Sequence, residues 1–134
     1  MLRIDIATIP TESQRYKTLG DYYAKYSGGL IFDVVAVSDM GNRYYEFLIA
    51  LHEVVEMCLC QKRGIKEEDI TAFDVAFDKD GEPGDDPRAP YFKEHQFATT
   101  LEKMMCAELG IDWDVYNQFC DQFFKSTYDN SKVA

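Results

Sequence analysis

Histidine is scarce in this chain of 134 residues: there are two, His52 and His95. One metal-dependent phosphohydrolase type needs a His followed later by an adjacent His-Asp pair, and this chain does not supply it. No apolar run approaches the roughly 18 residues of a membrane-spanning helix, so no membrane association is expected. The opening residues, Met1-Leu-Arg-Ile-Asp-Ile, lack the apolar core and small-residue cleavage site of a secretory signal. The expected location is the cytoplasm. Bases are outnumbered, 14 Lys and Arg against 24 Asp and Glu, for a net charge of −10. A surface of that sign repels phosphates, which argues against direct nucleic-acid binding. It leaves a solvated acidic skin, carboxylates gathered around a metal, or a surface that docks on a protein. No glycine-rich phosphate loop follows a strand, and no serine elbow is present. Of the four cysteines, Cys58 and Cys60 are two apart on an expected helix and do not share a face. Cys106 and Cys120 are isolated, so buried free thiols are expected.

Apolar residues make up 46% of the chain and aromatics 14%, enough for the core of a single domain at this length. Residues 1–125 are read as that domain and 126–134 as a frayed polar tail. Leu2–Ala7 alternates apolar and polar residues, and Leu30–Val37 is β-branched; both read as strands. Between them, Thr11 to Tyr26 has aromatics at three- and four-residue steps and reads as a helix, followed by a turn at Ser27-Gly28-Gly29. Arg43–Lys62 is the longest helix expected, with Gly64 placed to end it. Further helices are expected at 66–77, 90–109 and 113–125. The fold class is α+β: a two-stranded antiparallel element, Leu2–Ala7 with Leu30–Val37, packed on four or five helices around a central buried helix 43–62. Two strands alone are marginal in water, so helices or a second subunit must cover them, and a homodimer is one expectation.

Eleven of the fourteen residues from Phe47 to Cys60 are apolar, and they surround the helix completely. The exceptions are His52, Glu53 and Glu56, which their three- and four-residue spacings place along one side. Unpaired charges inside such a helix cost several kcal/mol, so they require a cation or an Arg or Lys partner. The 90–109 helix repeats the pattern, with His95 and Glu102 on its apolar stripe and Glu94 at the edge. Both histidines thus face inward from long helices, each with an inward carboxylate. The chemical reading is a metal site between the helices, with ligands His52, Glu56, His95 and Glu102, and Glu102 either a fourth ligand or a support behind one. Zinc is the first choice, then manganese or iron, and no organic cofactor is expected. Glu53 would be the general base of a metal-dependent hydrolase. His-Glu-x-x-Glu is a looser relative of the His-Glu-x-x-His zinc protease motif. The alternative is two hydrogen-bonded His/Glu pairs in a non-catalytic acidic protein that docks on a host protein. The loop from Glu82 to Asp86 holds three carboxylates in five residues, and it leads straight into the His95 helix as either the mouth of the site or a solvated turn. Asp74 and Asp78 are further candidates.

His-Glu-x-x-Glu, Phe73-Asp74, Glu82-Pro-Gly-Asp-Asp86, Ala89-Pro-Tyr91 and Glu94-His95, in this order, resemble an uncharacterised family of small bacteriophage and bacterial proteins. Ile9-Pro10, Gln14-Arg-Tyr16 and Gly20-Asp21-Tyr22 are similar to its members too, so the resemblance spans about residues 4–117. The family has no established activity, and the resemblance assigns no catalytic residue. It implies a stand-alone protein acting in the bacterial cytoplasm, the host's if phage-encoded.

Overall fold

A computed structural model describes residues 1–129. The elements are strands β1 (Ile4–Ile9), β2 (Gly20–Ser27) and β3 (Leu30–Ser38), then helices α1 (Arg43–Lys62), α2 (Glu67–Ala76), α3 (Phe92–Glu108) and α4 (Trp113–Asp129). Short 3-10 turns cover Thr11–Ser13 and Pro83–Asp85. The class is α+β, as expected, but the sheet has three strands in the order β1-β3-β2.

Two expectations are corrected here. The expected helix from Thr11 to Tyr26 is absent: Thr11–Ser13 forms only a 3-10 turn, residues 14–19 are not helical, and residues 20–26 are strand. Tyr22, Tyr23 and Tyr26 fit a helical spacing, yet aromatics are equally at home in strands. Gly28 and Gly29, both at positive φ (57° and 76°), close a two-residue hairpin in which Ser27 faces Leu30. Tertiary pairing along the whole of β3 then overrides the helical period. The first strand also pairs with β3 parallel rather than antiparallel, Ile4 opposite Asp33 and Ile9 opposite Ser38. Since β2 takes the antiparallel edge of β3, the chain must cross the end of the sheet between β1 and β2. Gln14 anchors that crossing, its Nε2 donating to Ala36 O and Ser38 Oγ.

The helix α1 has the expected bounds, but it is not buried all round: β2, β3 and α3 cover two of its sides and leave Phe47 and Cys58 exposed. Asn42 caps it by accepting from the Tyr44 and Tyr45 amides, and Gly64, at φ 71°, ends it. One side of α1 packs on β2 and β3 and another on α3. Leu48, Met57 and Cys60 are buried there with Val35, Val37 and Tyr116. The last helix continues past Lys125 to Asp129, and the Tyr128 hydroxyl donates to Thr18 O. That much of the expected frayed tail is ordered helix, while residues 130–134 lie outside the described residues. No disulfide joins the four cysteines: Cys60 and Cys106 are buried, Cys120 half-buried and Cys58 exposed. Among the described residues no helix is long and apolar enough to cross a membrane.

Candidate metal centre

The four-residue step in α1 carries His52 and Glu56 to one face, and α3 brings His95 against them. All three residues are buried. His52 Nε2, Glu56 Oε2 and His95 Nδ1 form a triangle with every edge 3.0 Å. These three of the expected ligands therefore converge.

Glu102 does not join them as a ligand. Seven residues along a helix is a rise of about 10 Å, which carries Glu102 past the triangle to the other side of the His52 ring. There Glu102 Oε1 lies 2.8 Å from His52 Nδ1. Tyr116, from α4, donates to Glu102 Oε2 at 2.5 Å. Glu102 thus stands behind His52, the position the expected support would take. A carboxylate behind a histidine fixes the tautomer and turns the free nitrogen forward.

His95 is held from two sides. Its Nε2 lies 3.1 Å from both Glu82 Oε2 and Asp85 Oδ1, so the loop before α3 reaches the site. Asp86 does not take part, because Arg88 holds its carboxylate in a bidentate pair. The backbone at Gly84 lies on the imidazole: a Cβ there would sit 2.4 Å from His95 Cγ and Nδ1. Gly20 makes a similar approach on the other flank, where a Cβ would fall 2.8 Å from Glu53 Oε1. Glu53 thus faces the start of β2, beside the triangle but outside it. Its carboxyl is raised well above the ordinary range, by burial first and by Glu56 next. Glu94 pairs with Arg63 at 2.6 Å, and Asp74 accepts from Tyr16 and Tyr91, so neither ligates with the triangle.

The tautomers decide what the triangle can hold. A carboxylate only accepts, so Glu102 places a proton on His52 Nδ1 and leaves a lone pair on Nε2 when the ring is neutral. A proton on His95 Nε2, which lies 3.1 Å from Glu82 and Asp85 without a directed hydrogen bond to either, likewise leaves Nδ1 bare. The third corner is a carboxylate oxygen. Three lone-pair atoms at 3.0 Å repel one another unless something positive sits among them. Protons serve the triangle less evenly. One proton satisfies a single edge, and two let both rings donate to Glu56 Oε2 while leaving the two ring nitrogens 3.0 Å apart. A cation at the centre serves all three corners. In an octahedral shell a face with bonds of about 2.1 Å has edges of about 3.0 Å, and a tetrahedral zinc shell needs about 3.3–3.4 Å. A six-coordinate ion fits this triangle as it stands, and zinc fits once the edges spread by a few tenths of an ångström.

Electrostatics point the same way. Burial disfavours charge on His52, but hydrogen bonds to Glu102 and Glu56 outweigh it and lift the ring to about 10. On His95 burial is likewise outweighed, by Asp85, Glu56 and Glu82, and the ring rises to about 12. For Glu56, burial is overcome by the two histidines, which bring it down to about 2. The pocket attracts positive charge, whether protons or a metal ion supplies it.

Sequence reasoning missed Tyr22 and Tyr116. The Tyr22 hydroxyl donates to Glu56 Oε1 at 2.9 Å, orienting the other oxygen toward the histidines. Tyr22 reaches α1 only through the packing of β2 on that helix. For Tyr116 no local signal exists. Compared with known protein families, curated proteins and solved structures, the chain matches none.

Proposed function

We propose that the protein is a metal-dependent hydrolase whose divalent ion is held by His52 Nε2, Glu56 Oε2 and His95 Nδ1. The observation that carries the reading is the 3.0 Å triangle of lone-pair atoms, with carboxylates behind both imidazoles. Two histidines and one carboxylate leave coordination positions for water and substrate, and an ion held so acts as a Lewis acid. Glu53 is the proton-transfer group of this reading, a carboxyl beside the ligands that binds its proton more tightly than a free one. The setting is cytoplasmic and follows the resemblance to small phage and bacterial proteins.

Elemental analysis of untagged protein is the direct test, with a stoichiometric divalent metal expected. Glu53→Gln should keep that metal and the fold while abolishing hydrolysis in a panel of ester, phosphoester and peptide substrates. Loss of metal in that variant makes Glu53 a ligand instead.

One observation favours a second reading. His52 and His95 both bind protons tightly, so two imidazolium–carboxylate pairs could fill the core of a non-catalytic acidic protein that docks on a host protein. Metal-free protein whose melting temperature ignores a chelator would select it.

A further inference from the structure

The mouth of the site has one carboxylate too many. His95 Nε2 can present a single proton, yet Glu82 Oε2 and Asp85 Oδ1 both lie 3.1 Å from it. The N–H direction meets neither oxygen, so this buried nitrogen has no hydrogen-bond partner. The imidazole side chain is only 6% exposed and cannot turn to water instead. Gly84 lies so close to the ring that a Cβ there would fall 2.4 Å from Cγ and Nδ1. Gln96 Nε2 donates to Asp85 Oδ1 at 3.2 Å, which positions that oxygen but supplies no charge. The 3.1 Å spacings match the edges of an octahedral face built on bonds of about 2.1–2.2 Å.

We propose that His95 bridges two divalent transition-metal ions: the buried one on Nδ1, and a second on Nε2 held together with Glu82 and Asp85. This rests on the triangle being a metal site. Glu82 and Asp85 are 66% and 60% exposed, so the outer ion exchanges with solvent while the inner one is enclosed. Binding the outer ion forms a metal–Nε2 bond and breaks Nε2–H; the proton leaves to solvent and no electron moves. With bonds of about 2.0–2.1 Å on either side of a five-membered ring, the ions stand about 6 Å apart. That is beyond the roughly 3.5–4 Å at which two metals share one oxygen.

The test is a zinc titration of metal-free protein by calorimetry, with proton release followed by a pH indicator, for wild type and Glu82→Gln/Asp85→Asn. Both side chains are exposed, so the variant keeps its fold. The expected result is two equivalents in wild type and one in the variant, with proton release on the second equivalent absent from the variant. One equivalent in both proteins overturns the bridge and leaves the triangle standing. Two equivalents in both places the second ion elsewhere and overturns the bridge. No equivalent in the variant makes the loop carboxylates part of a single centre, which also overturns it. No binding by wild type overturns the triangle and the bridge together.

Discussion

Replacing His95 by Ala removes one corner of the triangle and asks what fills its centre. In the wild type each donor atom lies 3.0 Å from the other two. An ion that binds only the folded state stabilises it by RT ln(1 + [L]/Kd), about 2.7 kcal/mol at a hundredfold excess over Kd. For a chain of this length that is a rise in Tm of roughly 8–12 °C. The variant keeps His52 and Glu56. If its affinity is a hundredfold lower, the same ion concentration contributes about 0.4 kcal/mol, or a rise of roughly 1–2 °C. The variant is also destabilised without metal, because it loses a buried ring and a bond to Glu56. The decisive quantity is therefore the shift within each protein. The assay is calorimetric melting after chelator treatment, with and without zinc or manganese. The ion must displace protons from rings drawn to about 10 and 12, so the wild-type shift should grow from pH 6 to pH 8. Equal shifts in wild type and variant would refute the metal reading at His95.

The other expectations are narrower. Glu102→Gln keeps the shape behind His52 but removes the charge, and should weaken metal binding about 10- to 100-fold in competition with a chromophoric chelator; unchanged affinity would deny Glu102 its supporting role. Gly84→Ala puts a Cβ 2.4 Å from the His95 ring and should destabilise by about 1–3 kcal/mol in urea unfolding; a neutral result would mean that the loop does not rest on the imidazole. Burial lifts Asp74 to about 6 against the pull of its two tyrosine partners. A carboxyl raised in the folded state contributes stability below its unfolded value, about 4, and loses it as pH rises through 6. Asp74→Asn should therefore gain on wild type between pH 4 and pH 7, and a difference flat with pH would contradict the assignment.

Much of this protein is legible locally. The run from Phe47 to Cys60 is apolar around its whole circumference, which marks α1 as a helix with more than one packed side, although the structure leaves Phe47 and Cys58 exposed. Asn42 and Gly64 bound it because helix ends need partners for their free amides and a residue at ease with positive φ. The inward placement of His52 with Glu56 and of His95 with Glu102 follows from 3.6 residues per turn. Local signals fail at residues 20–26, where aromatic spacing suits a helix and aromatic character suits a strand. Gly28-Gly29 favours the hairpin, but the outcome rests on the free edge of β3.

Long-range packing decides the rest. Local pattern does not reveal that β1 lies parallel to β3, because register and direction depend on which edge another strand has already taken. Nor does it separate the corners of the triangle from the carboxylate behind it. A helical wheel puts His95 and Glu102 on one stripe, whereas only the seating of α3 on α1 decides which ring atom each one meets. Tyr22 and Tyr116 reach the carboxylates from elements distant in sequence, and Gly84 meets His95 only because the loop folds back over α3. Short-range periodicity determined which side chains turn inward. The crossing of two helices determined the 3.0 Å separations, since these are distances between atoms that the chain brings together from dozens of residues apart.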